Sequence, residues 1–293
     1  MKPSDIQVIG VETSTYCNLK CRLCSRFKNV RLSNLKLEAI ENLSLEYFPN
    51  ARVSMYGSGE PTLNPQILEI VSLIDIPITL GTNGTTHNEN WWYEFASKLP
   101  KRHIVSFALD ATDQKTYEYY RIGGNYNKAI NNMKAFIEGG GKAWWQFILF
   151  RHNEHQVKNA EVLAKEYACK KFMVVPSWVY NREYQSPMKY KVKSEEEAKR
   201  PSVACRISQG EIFISSDGNY MPCCLINDLT HILRITGCKL KNAYENTLLD
   251  VINSGYYDDM LKRIKRIEKC KTCLVECGKR YSMGTSNIED NLG

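Results

Sequence analysis

The chain has 293 residues, 43% of them hydrophobic, which is enough to bury a sizeable core as one large domain with a smaller one attached. Its formal net charge is +7, but the densest charged stretch, KYKVKSEEEAKR at 189–200, mixes both signs. That marks a solvated linker face rather than a nucleic-acid groove, and nucleic acid is not expected as a partner. No apolar run reaches the length of a membrane span, and the N-terminal residues lack a signal-peptide layout, so a soluble, cytoplasmic chain is expected.

In chain order, strand-like runs fall at 6–13 (IQVIGVET), 51–57 (ARVSMYG), 77–82 (PITLGT), 103–110 (HIVSFALD), 144–150 (WWQFILF) and 171–177 (KFMVVPS). Helical patterns lie between them, near 33–47, 64–74, 88–98, 125–138 and 155–169. The first opens on Ser33 and Asn34, read as capping residues. The fourth runs into Gly139–Gly141, read as a helix stop. Strands alternating with helices imply parallel strands joined by right-handed crossovers, an α/β architecture. Its active site is expected at the C-terminal ends of the strands. Past residue 178 the pattern changes. A polar, Tyr-rich stretch precedes CRISQGEIFISSDGNYMPCC, which reads as a β-hairpin turning at Asp217–Gly218, and a helical tail follows.

Eleven cysteines in a chain of this size, without a signal sequence, point to metal or redox ligands rather than a disulfide framework. Cys17, Cys21 and Cys24 directly follow the first strand. Three thiolates on one short loop can hold three irons of a cubane cluster and leave the fourth open. Iron–sulfur clusters are the ordinary use of such runs. Zinc stays open at this point, because a distant residue could supply the fourth ligand it wants.

The run from Thr15 to Cys24, TYCNLKCRLC, resembles the CxxxCxxC loop of the radical S-adenosylmethionine enzymes. The resemblance implies a partial (β/α)6 TIM-like barrel and a [4Fe–4S] cluster on Cys17, Cys21 and Cys24. The open iron would take the amino and carboxylate groups of S-adenosylmethionine. Leu23 departs from the pattern, since the family more often has an aromatic there. After the second strand, Gly57-Ser58-Gly59-Glu60-Pro61 resembles the family's GGEP motif, with Ser58 in place of one glycine. Its backbone carbonyls would accept bonds from the methionine ammonium. Thr82-Asn83-Gly84 matches the family's TNG turn. In relatives with an auxiliary domain a serine often stands where this chain has Ala108. Ser106, on the same strand face, is the candidate to replace it. Arg121 matches an arginine that often contacts the cofactor carboxylate, the alternative being a surface arginine. Asn153 resembles a polar cofactor-side residue, the alternative being a helix N-cap.

The C-terminal region resembles the SPASM or twitch module, a small α+β domain appended to many radical enzymes. Cys205, Cys223, Cys270 and Cys273 would hold one auxiliary [4Fe–4S] cluster, with a zinc site as the alternative. Cys224 and Cys277 are spare, and either could replace a chosen ligand. Cys169 and Cys238 are read as packing thiols. The expected organisation is a barrel over 1–178, a linker over 179–200 and the auxiliary domain over 201–293.

The implied chemistry is reductive cleavage of S-adenosylmethionine and hydrogen-atom abstraction from substrate. An external low-potential donor of the flavodoxin or ferredoxin kind would supply the electron, and the auxiliary cluster would take one from the substrate. Sixteen residues precede Cys17, read as the absence of an N-terminal peptide-recognition domain. That favours a small molecule, or a peptide delivered by a partner. The step from Cys205 to Cys223 is similar to that of aminocyclitol dehydrogenases of this family. Arg151, His152, Trp178 and Tyr180 are candidate substrate contacts. Two other readings stay open: an epimerase with a cysteine hydrogen donor such as Cys224, and a non-enzymatic metal-cluster protein.

Overall fold

The computed structural model describes residues 1–24, 26, 31–177, 181–188, 206–223, 237 and 239–266. In chain order its elements are β1 (Val8–Val11), α1 (Leu37–Glu41), β2 (Arg52–Met55), α2 (Ile67–Leu73), β3 (Ile78–Thr82), α3 (Glu89–Lys98), β4 (Ile104–Ala108), α4 (Gln114–Tyr120), α5 (Tyr126–Glu138), β5 (Ala143–Leu149), α6 (Val157–Glu166), β6 (Lys171–Pro176), β7 (Glu211–Ile214), β8 (Tyr220–Met221), α7 (Leu248–Asn253) and α8 (Tyr256–Arg266). The described residues form two compact units. The first holds those from Met1–Cys17, Ser25–Leu80 and Arg200–Lys279, the second those from Asn18–Cys24 and Gly81–Lys199.

In the first unit β1, β2 and the start of β3 are parallel neighbours, joined through α1 and α2. β1 is buried along its whole length, as a strand covered on both faces must be. Its other edge is taken by β7, which runs parallel to it with Val8 opposite Glu211 and Val11 opposite Ile214. β8 then folds back antiparallel on β7. The turn places Gly218 at φ +81°, as the Asp217–Gly218 signal predicts. The hairpin assigned to the C-terminal module is thus an extension of the β1–β2–β3 sheet.

In the second unit β4, β5 and β6 are parallel. Alternation along β5 is strict: Ala143, Trp145, Phe147 and Leu149 are buried and the residues between them are not. α3 and α5 share a ring cluster in which Trp92 meets Phe107 at 5.1 Å and Phe136 at 6.0 Å. α5 ends at Glu138 with Gly139 as its C-cap and Gly140 at φ +86°, as expected from the glycine run.

Two expectations are corrected. The helix expected over 33–47 is only α1 plus a 3-10 turn at Leu45–Tyr47. Ser33 and Asn34 do not cap it, because Asn34 forms a β-bridge with Ser14. Ser44, at φ +48°, breaks the helix before the turn. α4 was not foreseen. It is short, and it starts where the Asp113 side chain accepts from the Thr116 amide. No helix among the described residues is long and apolar enough to cross a membrane.

Candidate active site

In the first unit the chain runs on from β1 through Glu12 to Cys17. The Leu35 amide donates to the Thr13 carbonyl, and the Thr15 amide to the Ser33 carbonyl at 3.0 Å. The Thr15 hydroxyl donates to the Arg31 carbonyl at 2.8 Å. Asn64 Nδ2 donates to the carbonyls of Thr13 (2.7 Å) and Leu35 (2.8 Å). These bonds fix the path of the strand extension, so Cys17 leaves from the C-terminal end of β1 and is partly exposed.

The turn Gly57–Pro61 lies against this extension, and the Glu60 amide donates to the Tyr16 carbonyl at 2.7 Å. A Cβ on Gly59 would stand 2.3 Å from the Ser14 carbonyl oxygen and 2.6 Å from Thr15 Cα. Only glycine allows that approach. The buried Glu60 carboxylate accepts from the Thr62 amide (3.2 Å) and hydroxyl (2.7 Å), capping the 3-10 turn Pro61–Leu63. Ser58, the departure from the family pattern, is buried, and its amide donates to Glu12 Oε1 at 2.6 Å. Sequence reasoning missed Glu12. Its signal was an acidic residue at the end of an apolar strand run.

In the second unit Cys21 and Cys24 sit on a tight turn, the Cys24 amide donating to the Cys21 carbonyl at 3.1 Å. Asn18 braces this loop on the Thr82-Asn83-Gly84 turn. Asn18 Nδ2 donates to Thr85 Oγ1 (2.8 Å), and Asn83 Nδ2 donates to Asn18 Oδ1 (3.0 Å). The Thr82 hydroxyl accepts from the Gly84 amide at 3.0 Å. Asn132, on α5, clamps the turn from behind by donating to the carbonyls of Gly84 (2.8 Å) and Thr86 (3.0 Å). Asn18 and Asn132 were also missed.

Arg121 is no surface residue. It is buried, and its Nε donates to Asp110 Oδ2 at 2.7 Å. Asp110 Oδ1 accepts from the Ile148 amide at 2.7 Å. Burial alone would lower the Arg121 pKa. The Asp110 carboxylate, and then the Cys21 sulfur in its ionised form, outweigh it and hold the guanidinium well above its ordinary value. Burial raises the Asp110 carboxyl, opposed by Arg121 and the Ile148 amide. The result is a fixed positive charge whose field reaches Cys21.

Ser106, on β4, is buried, and its Oγ has no hydrogen-bond partner among the described residues. Asn153 is fully buried. Its Nδ2 donates to the carbonyls of Asp110 and Ile148, both at 2.9 Å, and its Oδ1 accepts from the Phe150 amide at 2.8 Å. It precedes a 3-10 turn without capping it by a side-chain bond, because the amide ties the residues just past β4 to β5 instead.

Cys21 and Leu23 pack on an aromatic group made by Tyr120, Phe150 and Tyr184. His152 stacks on Phe150 (5.3 Å) and lies 4.7 Å from Tyr119, and neither ring nitrogen has a hydrogen-bond partner among the described residues. Burial, and then His155, push its pKa down to about 4, so it is neutral at physiological pH. Arg151 is exposed and donates to the Ser186 carbonyl at 3.2 Å. Trp178 and Tyr180 lie outside the described residues.

Of the expected auxiliary ligands, Cys223 is buried against Phe213 and Met221 just past β8. Cys205, Cys270 and Cys273 lie outside the described residues, as do Cys224, Cys238 and Cys277. Cys169 is a buried packing thiol 3.7 Å from Met133 Sδ, its pKa pushed up to about 12 by burial. Among the described residues no three His, Cys, Asp or Glu side chains form a metal-holding group.

The sequence model of the Radical SAM superfamily matches residues 11–162. This chain belongs to that superfamily. A second match, to the SPASM iron–sulfur cluster-binding domain, covers residues 205–274 of the radical SAM chain. The chain is 31% identical over 140 residues to the UPF0026 protein of Helicobacter pylori, a match covering 43% of this chain and 44% of that relative's length. Among solved structures it is similar to Streptococcus suis SuiB bound to S-adenosylmethionine, with a TM-score of 0.66 at 20% identity over 94% of this chain and 72% of that one. It is also similar to anSMEcpe with bound S-adenosylmethionine, with a TM-score of 0.60 at 15% identity over 92% of this chain and 88% of that one. These likenesses share the fold, an α/β partial barrel of largely parallel strands.

Radical SAM and SPASM membership brings a [4Fe–4S] cluster, an auxiliary [4Fe–4S] cluster and S-adenosylmethionine as cofactors. In donor type and spacing the cysteines of this radical SAM chain suit the first of these groups, although among the described residues they do not stand together as a metal-holding group. Three partly exposed thiols lie along one stretch of loop, a charged guanidinium interacts with Cys21, and the buried Ser106 hydroxyl has no hydrogen-bond partner among the described residues.

Proposed function

We propose that the chain cleaves S-adenosylmethionine reductively and abstracts a hydrogen atom from its substrate, which is then oxidised by two electrons in all. Cys17, Cys21 and Cys24 would hold the cluster that supplies the electron for that cleavage. Gly57, Gly59, Glu60 and Pro61 form the turn facing the methionine end. Thr82 and Asn83 shape the turn under the cysteine loop. Ser106 and Arg121 offer a hydroxyl and a charged guanidinium to the cofactor's polar groups, and Asn153 joins the strands that carry Asp110 and Ile148. The observation that supports the reading is the Asn18–Asn83 bond at 3.0 Å, which ties the cysteine loop to the Thr82-Asn83-Gly84 turn 65 residues away.

Cys205, Cys223, Cys270 and Cys273 are proposed as the auxiliary ligands, within a functional division into barrel (1–178), linker (179–200) and auxiliary domain (201–293). A flavodoxin- or ferredoxin-like donor would deliver the first electron. Thiol-ligated clusters fit a reducing compartment, the cytoplasm. The substrate is a small molecule of the sugar or aminocyclitol type, or a peptide. SuiB has been crystallised with its precursor peptide SuiA and anSMEcpe with the Cp18Cys peptide, so peptides are the first class to assay.

The test is anaerobic reconstitution, an iron and sulfide count, and incubation with dithionite and S-adenosylmethionine. About eight irons per chain with 5′-deoxyadenosine formed is the expected result, two four-iron clusters. Cys17→Ala should abolish the nucleoside. Zinc instead of iron, with no nucleoside, would overturn the reading. Solvent deuterium in an otherwise unoxidised product would favour the epimerase reading instead.

A further inference from the structure

Glu12 is a buried carboxylate with two occupied ends. Oε1 accepts from the Ser58 amide at 2.6 Å, inside the Gly57–Pro61 turn. Oε2 accepts from the Ser216 amide at 3.4 Å and its hydroxyl at 3.3 Å, in the turn that joins β7 to β8. The backbone reinforces the second arm, since the Glu12 amide donates to the Ile214 carbonyl at 2.9 Å. The Ser33 and Ser216 hydroxyls meet at 2.6 Å, so the segment bracing the Cys17 strand extension joins the same network. A Cβ on Gly57 would stand 2.4 Å from Glu12 Oε1. The space beside the carboxylate is therefore kept by a glycine. Among the described residues the donors to this carboxylate come from these two turns, and Cys223 lies two residues past the end of β8.

We propose that Glu12 is a positioning residue that couples S-adenosylmethionine affinity at the Gly57–Pro61 turn to the β7–β8 hairpin leading to Cys223. The coupling rests on the assignment of that turn to the methionine end of the cofactor. A change in the hairpin turn shifts the Ser58 amide through one carboxylate, and by linkage the reverse holds equally. Residues that touch no cofactor should then alter its affinity.

The experiment uses the reconstituted full chain, measuring the S-adenosylmethionine Kd by equilibrium dialysis together with iron content and nucleoside turnover. Ser216→Ala should raise the Kd about 2- to 10-fold, the span of one modest hydrogen bond, with iron content and kcat at saturating cofactor unchanged. Glu12→Gln should raise it further, and the double variant should match Glu12→Gln alone, because both act on one pathway. Ser216→Thr keeps the hydroxyl and should bind as the parent does, so the result stands even if Glu12→Gln does not fold. Unchanged Kd in Ser216→Ala at full iron content, or strictly additive effects, would overturn the coupling alone. Failure of the parent chain to bind S-adenosylmethionine at full iron would overturn the assignment of the turn, and the coupling with it.

Discussion

Asp110 and Arg121 show how a buried pair constrains a single position. The two side chains are 1% and 10% exposed, so removing one strands the other in a poor solvent. Arg121→Met is expected to lose about 3–5 kcal/mol of stability, and the double replacement Asp110→Leu, Arg121→Met to lose less. Urea denaturation of the three proteins checks the order. His152 gives a pH-dependent prediction. Its pKa falls from an ordinary 6.5 to about 4 through burial, so the unfolded chain binds the proton more readily. Stability linked to this residue is full above pH 6.5 and declines as pH falls toward 4. His152→Phe should flatten that part of the stability curve; an unchanged acid limb in urea midpoints between those pH values would refute it.

At the level of elements, Asn132 ties α5 to the Thr82-Asn83-Gly84 turn through two carbonyls. Asn132→Ala would leave both acceptors buried, and a loss of about 1–3 kcal/mol is expected. Weaker S-adenosylmethionine binding should accompany it, measurable as a raised KM. The strands of the barrel were legible because their apolar residues alternate or run continuously, as in β5 and β1. Helix ends were less so. Ser33 and Asn34 look like caps, yet a bridge to Ser14 claims Asn34, and no local pattern announces that. The short α4 depends on an Asp113 cap and has little periodicity to read. The cysteine loop and the two glycine turns were visible as motifs. Glu12, Asn18 and Asn132 were not, because their partners lie 46 to 204 residues away in sequence and nothing in their own neighbourhoods predicts those bonds.

For the whole molecule, the two cluster sites should be separable. Cys223→Ala is expected to lower iron from about eight to about four per chain while nucleoside formation persists at saturating S-adenosylmethionine; loss of both together would refute this separability, which the affinity coupling through Glu12 leaves intact. One feature of the sheet also reaches beyond the folded state. β1 lies between β2, some 40 residues on, and β7, about 200 residues on. Contacts of such separation close late, and at roughly 5–20 residues per second of synthesis the N-terminal strand waits some ten seconds or more for its second neighbour. A ribosome-stalled chain ending before Glu211 should therefore expose the edge of β1 to protease, whereas protection at that length would refute the delay. The strand that leads into the cysteine loop is thus among the first made and, on its β7 side, among the last enclosed.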